Sequence, residues 1–254
     1  MNYLLYGRGP SPLLLLHGFT GQGSHWAAVE PLLGERYRLI CPDLVGHGRA
    51  PAPTDLTHYT MPAVAQDLIA LLDGLGLAQV DLLGYSMGGR LALYLALHYP
   101  ERFGRVVLES ASPGLATAAE RTARQQSDEA LAERIEREGM ASFVAHWESL
   151  PLWASQASLP AEVRQRLHQQ RLEHNPTGLA NSLRGMGTGV QPNLWPRLAE
   201  LKMPVTLVVG ELDHKFVAIN EQMAAQIKTA VLHIIPHAGH TVHLEQPESW
   251  GALV

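Results

Sequence analysis

One serine in this sequence lies in the pattern Gly-x-Ser-x-Gly, with Ser86 between Gly84 and Gly88. An apolar run at 80–83 precedes this pattern and a helical pattern at 91–97 follows it, which predicts a sharp turn between a strand and a helix. The two glycines meet the steric demand of such a turn, and the start of the helix offers unpaired N–H groups near the hydroxyl. We therefore predict that Ser86 acts as a nucleophile or as a base.

A serine hydroxyl becomes reactive when an imidazole, itself oriented by a carboxylate, can accept its proton. Asp213 follows a short apolar strand and His240 follows a later one, so both side chains are expected at strand ends. In the chain order Ser, Asp, His they are predicted to form a catalytic triad with Ser86. Glu211 and Glu109 also follow predicted strands, and both remain alternatives for the carboxylate.

An oxyanion formed beside the serine would need two converging N–H donors. We predict Met87, the residue after the serine, and Phe19, in the loop after the first apolar strand. His237, His240 and His243 could in principle be metal ligands, but no carboxylate or cysteine ligand set accompanies them at metal-site spacing. No metal and no cofactor are therefore predicted.

Arginine is the second residue type that carries information here. Arg90 lies one helical turn after Ser86, within reach of the floor or edge of a pocket. Burying a guanidinium at an apolar helix start requires an anionic partner. Further arginines lie between 115 and 190, and most of them are expected to be surface residues: Arg121, Arg124, Arg164, Arg166, Arg171 and Arg184.

The elements that would position these residues alternate between strand and helix. This alternation predicts an α/β fold with a mostly parallel sheet covered on both faces, and ligands bind beyond the carboxyl ends of such strands. From about 115 to 190 only helical patterns occur, and strands resume afterwards. We predict a core at 1–112 and 191–254, interrupted by a helical cap at 113–190. The sequence ends a few residues into a predicted last helix.

Composition excludes several classes of partner. The chain has 254 residues, 46% of them hydrophobic, and a net charge of −5, so no global field favours nucleic acid or an anionic membrane. The single cysteine, Cys41, excludes an internal disulfide and fits a reducing compartment. The apolar run 13–16 is too short for a signal peptide or a membrane span. We expect a cytoplasmic protein, monomeric or a small homo-oligomer, with a small anionic substrate.

These segments resemble the α/β-hydrolase superfamily, and more narrowly the 2-succinyl-6-hydroxy-2,4-cyclohexadiene-1-carboxylate synthases of menaquinone biosynthesis. The triad segments are shared by the whole superfamily, whereas Arg90 and the cap segments are specific to the narrower family. The resemblance runs over nearly the whole chain and is carried by these segments: 17–21 with Trp26, 84–90, 111–115, 121–128, Trp147 with 151–155, Arg171 with Asn175 and 178–180, 187–192, 210–216 and 239–240.

The resemblance implies an α/β-hydrolase fold and an elimination rather than a hydrolysis. The family's substrate is a cyclohexene with carboxyl, succinyl and enolpyruvyl groups, and a base removes a ring proton as pyruvate is lost. By motif, Arg90, Arg124 and Arg171 would bind its carboxylates, and Tyr85 and Trp147 would shape the site.

The sequence departs from the family pattern at Val45, Met87 and Trp153, and none of these side chains takes part in the proposed chemistry. Two other classes remain open. An esterase or carbon–carbon bond hydrolase would use the same triad, and a non-catalytic receptor could keep the fold.

Overall fold

A computed structural model describes all 254 residues and contains one seven-stranded sheet. Its strand order is β1-β3-β2-β4-β5-β6-β7; β1 runs antiparallel to β3, and every other neighbouring pair is parallel. The strands are β1 Tyr3–Tyr6, β2 Ser11–Leu16, β3 Tyr37–Pro42, β4 Val80–Tyr85, β5 Phe103–Glu109, β6 Val205–Gly210 and β7 Ala230–Ile235. The α/β fold with a mostly parallel sheet, predicted from the alternation of patterns, is confirmed.

Nine α-helices surround and extend this sheet. They are α1 Glu30–Leu33, α2 Met61–Gly74, α3 Met87–His98, α4 Ala118–Glu148, α5 Ala161–Leu172, α6 Pro176–Met186, α7 His214–Gln226, α8 Val242–Glu245 and α9 Pro247–Gly251. Short 3₁₀ segments lie at Gly23–Val29, Leu56–Tyr59, Pro100–Arg102, Pro151–Ser158 and Trp195–Glu200. None of the helices combines the length and the apolar character needed to cross a lipid bilayer.

Strand β2 shows why the sheet is covered on both faces. Its residues Leu13 to Leu16 are all fully buried, and successive side chains point to opposite faces. Leu14 and Leu16 join a cluster of 32 buried residues that includes most of α3, whereas Leu13 and Leu15 join a second cluster with Trp26 and Trp250. A continuous apolar run of this kind is typical of a central parallel strand.

The segment between β5 and β6 contains helices and connections but no strand. Helices α4 and α6 pack on each other around a small core of their own, which includes Ile135, Phe143 and Leu183. Helix α4 is interrupted at Gly139, where φ is +79°. This helical segment corresponds to the predicted cap, and the predicted limits at 113 and 190 stay predictions.

Two elements differ from the sequence prediction. Strand β1 was not predicted, because its residues are alternately exposed and half-buried and it pairs only at the edge of the sheet. The apolar spacing from Trp26 to Leu33 predicts a helix, but this segment begins as a 3₁₀ segment, and only Glu30–Leu33 is α-helical.

Candidate active site

The turn between β4 and α3 holds Ser86 in a strained backbone conformation, with φ +51° and ψ −109°. A Cβ atom on Gly84 would overlap the carbonyl of Gly88, and one on Gly88 would overlap the carbonyl of Leu16. The turn is therefore too tight for any side chain at these two positions. The Ser86 N–H donates to the Glu109 carbonyl at 2.8 Å, which fixes the turn to strand β5.

Ser86, His240 and Asp213 form one line of hydrogen bonds at the carboxyl ends of the strands. His240 Nε2 lies 2.9 Å from Ser86 Oγ, and His240 Nδ1 lies 2.6 Å from Asp213 Oδ2. His240 and Asp213 are both buried, so the carboxylate can hold the imidazole with Nδ1 protonated and Nε2 facing the serine. This arrangement can transfer a proton between Ser86 and His240.

The alternative carboxylates have other partners. Glu211 is exposed and accepts the His237 N–H at 3.2 Å. Glu109 is fully buried, and its two oxygens lie 2.8 and 3.0 Å from His243 Nδ1. Because His237, His240 and His243 thus have separate surroundings, the three histidines do not converge on a common point. The Glu109–His243 pair was not predicted, since no sequence pattern links two residues that are 134 positions apart.

The two predicted oxyanion-hole residues, Phe19 and Met87, line the same space as Ser86. The Phe19 N–H donates to no backbone carbonyl. Met87 is the first residue of α3, so its N–H has no acceptor within the helix. The loop after β2 lies directly against the start of α3. A Cβ atom on Gly88 would overlap the carbonyls of Leu16 and His17. Both residues are thus close to Ser86 and keep a free backbone donor, and their use as an oxyanion hole stays a prediction.

That space is a cavity of about 1120 Å³. Ser86, His240, Phe19, Met87, Tyr85 and Trp147 all line it. The rings of Trp153 and Phe216 lie 5.5 and 4.7 Å from the His240 imidazole and form an apolar wall around it. A ligand in this cavity would meet the serine hydroxyl with much of its own surface removed from water.

Arg90 lines the same cavity and is buried without an acidic partner. Its Nη1 donates to the Met186 carbonyl at 2.9 Å and to Gln191 Oε1 at 3.1 Å, and no carboxylate lies within 4 Å of it. Burial, and then the charge of Arg124, lower the pKa of Arg90 to about 10. The charge of Asp128 acts on Arg90 in the opposite direction, but this carboxylate pairs with Arg124 and does not contact Arg90. No acid of the protein therefore contacts the buried guanidinium, which leaves it open to an anionic partner.

Arg124 and Arg171 differ in position. Arg124 lines the cavity, is 41% exposed in its side chain and pairs with Asp128 at 2.7 Å. Arg171 does not line the cavity. It is buried behind Trp153, with its guanidinium 5.7 Å from that ring, and Nη1 pairs with Glu148 at 2.7 Å. Arg171 therefore lies apart from the other two arginines, and a cap carboxylate pairs with it.

Sequence reasoning missed one further cation. Lys215, on the first turn of α7, lines the cavity and has no carboxylate within 4 Å. It stands two residues after Asp213, so its place in the motif was visible, but the spacing alone assigned it no role.

A serine turn at the end of a parallel strand, a His–Asp pair and a helical cap define the class of α/β hydrolases. In agreement, the sequence model of a family described as "alpha/beta hydrolase fold" matches residues 11–247.

Relatives narrow this class. A 2-succinyl-6-hydroxy-2,4-cyclohexadiene-1-carboxylate synthase of Serratia proteamaculans (strain 568) is 34% identical over 98% of this chain and 94% of its own. A protein of Bacillus subtilis (strain 168), provisionally given the same name, is 45% identical over 100% of this chain and 93% of its own. The structure of MenH from S. aureus superposes with a TM-score of 0.94, at 36% identity, over 98% of this chain and 95% of that one. The chain belongs to this synthase family within the α/β-hydrolase superfamily.

Proposed function

We propose that this protein eliminates pyruvate from 2-succinyl-5-enolpyruvyl-6-hydroxy-3-cyclohexene-1-carboxylate. The product is 2-succinyl-6-hydroxy-2,4-cyclohexadiene-1-carboxylate, an intermediate of menaquinone biosynthesis. The enzyme is a lyase that breaks a carbon–oxygen bond, and it uses the triad of a hydrolase without forming an acyl-enzyme.

Ser86 is the base in this proposal. His240 takes the hydroxyl proton while the Ser86 oxygen removes a proton from the ring carbon that carries the succinyl ketone, and Asp213 stabilises the imidazolium. The electron pair moves onto the ketone, where the N–H groups of Phe19 and Met87 hold the developing oxyanion. When the electron pair returns toward the ring, the bond between the ring and the enolpyruvyl oxygen breaks. The proton held on His240 goes to the departing group, which becomes pyruvate.

The observation that carries this proposal is the unneutralised Arg90 in the cavity wall. A buried cation that no carboxylate of the protein contacts favours a negatively charged ligand, and the substrate of this family carries several carboxylates. Arg124, at the same cavity, is the second proposed carboxylate ligand, although it must share its charge with Asp128. An esterase for neutral substrates would have no use for the buried charge of Arg90.

The test is a direct comparison of two reactions on the same preparation. The enolpyruvyl compound is supplied to the purified protein, and pyruvate release and the absorbance of the diene are followed together against the rate in buffer alone. We expect both signals to rise in step. No release above the buffer rate, together with rapid cleavage of simple carboxylic esters, would identify a hydrolase instead.

We also propose the cytoplasm as the compartment, because the one cysteine is free and buried and the chain is built without disulfides.

A further inference from the structure

A chain of hydrogen bonds connects the cap to the two residues that flank the serine and the histidine. Tyr85 Oη and Thr241 Oγ1 lie 3.1 Å apart, and Gln156 Nε2 donates to Thr241 Oγ1 at 2.9 Å. Arg171 Nη2 donates to Gln156 Oε1 at 3.4 Å, and Arg171 Nη1 donates to Glu148 at 2.7 Å. Tyr85 immediately precedes Ser86, and Thr241 immediately follows His240.

The direction of this chain is fixed by chemistry. A guanidinium can only donate hydrogen bonds, so the oxygen of the Gln156 amide must face Arg171 and its NH₂ group must face Thr241. Gln156, Arg171 and Thr241 are each less than a tenth exposed. A buried polar chain in which every member has a partner is stiff, because each group that turns away loses a bond that water does not replace.

One end of the chain lies at the active site, and the other packs on a ring that does. The Tyr85 ring is 5.6 Å from the His240 imidazole, and Trp153, on which Arg171 packs, is 5.5 Å from it. His240 is thus held by Asp213 through its ring and by the cap through its neighbours. These contacts give Arg171 a use that does not require it to enter the cavity.

We infer that Gln156 is a positioning residue, through which the cap fixes Thr241 and Tyr85 and thereby aligns His240 with Ser86. It touches no substrate and acts only through its two neighbours. The inference rests on the proposed use of Ser86 and His240 as a proton-transfer pair, and it predicts that the cap influences catalysis as well as binding.

The test uses a probe that needs no substrate. An alkyl fluorophosphonate reacts with an activated serine: the Ser86 oxygen bonds to phosphorus, His240 takes the proton and fluoride leaves. We expect Gln156→Met and Thr241→Val each to slow the labelling of Ser86 about tenfold and to lower kcat for pyruvate release by a similar factor, with KM little changed. The double variant should be no slower than the slower single variant, because both changes break the same chain.

Two controls separate positioning from general damage. Gln165→Met alters an exposed glutamine of α5 and should label at the wild-type rate. Thr241→Ser keeps the hydroxyl that Thr241→Val removes, so it should retain most of the wild-type rate. Wild-type labelling and kcat in Gln156→Met would overturn the inference, and so would equal losses in Thr241→Ser and Thr241→Val. If Gln156→Met does not fold, the comparison of these two Thr241 variants decides. Failure of the proposed function gives a different result, a wild-type protein that is labelled but releases no pyruvate.

Discussion

Arg90 shows at the scale of one residue how this site differs from a general serine hydrolase. The guanidinium is held by two neutral acceptors, the Met186 carbonyl and the Gln191 amide, and burial lowers its pKa to about 10. It stays charged at neutral pH, because that pKa is well above 7. Two neutral oxygens orient the group without cancelling its charge, which leaves it available to an anion.

Replacing Arg90 by methionine keeps much of the side-chain volume and removes the charge. We expect Arg90→Met to lower kcat/KM for the enolpyruvyl substrate about tenfold to a hundredfold, since a charged hydrogen bond to a carboxylate contributes about 1.5 to 3 kcal/mol. Steady-state pyruvate release measures the effect. Arg164→Met, on the exposed face of α5, is the matched control and should leave kcat/KM unchanged. Fluorophosphonate labelling of Ser86 should remain near the wild-type rate in both variants, because the triad is intact.

At the scale of elements, the strand–serine–helix turn is the most restricted part of the fold. Its residues leave no room between β2 and α3, since the chain at Leu16 and His17 lies directly against Gly88. The same close approach brings the Phe19 loop next to the helix start, so packing and the proposed oxyanion hole depend on one glycine.

A pair of glycine substitutions tests this constraint. Gly88→Ala should lower the free energy of unfolding by about 3 kcal/mol, because the added methyl group overlaps backbone atoms at the end of β2. These atoms cannot shift without moving the strand itself. Gly74→Ala, at the end of α2, has open space around its Cβ and should raise the free energy of unfolding by up to about 1 kcal/mol. Urea unfolding of both variants gives the comparison. Equal stability of the two would contradict the close packing described for the turn.

Most of the strands and the turn around Ser86 could be predicted from sequence. The apolar runs of β2 to β7 and the glycines around Ser86 are local signals, and local signals specify local structure. The antiparallel edge strand Tyr3–Tyr6 escaped prediction because only half of its side chains are covered. The position of Arg171 could not be read either, since it depends on the distant Glu148 and on where the cap helices cross.

At the scale of the whole molecule, neutral buried histidines join the cap to the core. His174 of the cap faces His47, with ring centroids 5.6 Å apart, and His47 faces His17 at 5.1 Å. Burial lowers the pKa of His17 to about 3 and also lowers the pKa of His47 and of His174. His174 Nε2 hydrogen-bonds the Thr20 carbonyl at 2.9 Å, next to the loop residue Phe19.

These depressed pKa values predict acid sensitivity. The unfolded chain binds protons on these histidines near pH 6.5, whereas the folded chain does not bind one at His17 until about pH 3. The stability that neutral His17 contributes is therefore complete above about pH 6.5 and is lost as the pH falls toward 3, by up to about 1.4 kcal/mol per pH unit, and His47 and His174 act in the same direction. Urea unfolding at pH 7.5, 6.5, 5.5 and 4.5 measures the slope.

A substitution tests whether buried His17 causes this pH dependence of the free energy of unfolding. His17→Asn should flatten the pH dependence of the free energy of unfolding below pH 6.5, even though it lowers stability at neutral pH. Gln165→Met, which removes no titratable group at an exposed position, should leave the slope unchanged. The same slope in His17→Asn as in the wild type would mean that this histidine does not titrate on unfolding.

The role of Ser86 as the base is the claim on which the proposed chemistry depends. The most direct measurement is pyruvate release by wild-type protein and by Ser86→Ala, with substrate carrying hydrogen or deuterium on the ring carbon next to the succinyl ketone. We expect Ser86→Ala to lose at least about 10⁴-fold in kcat, and the wild-type single-turnover rate to fall severalfold with deuterium. Pyruvate release by Ser86→Ala at the wild-type rate would contradict the account.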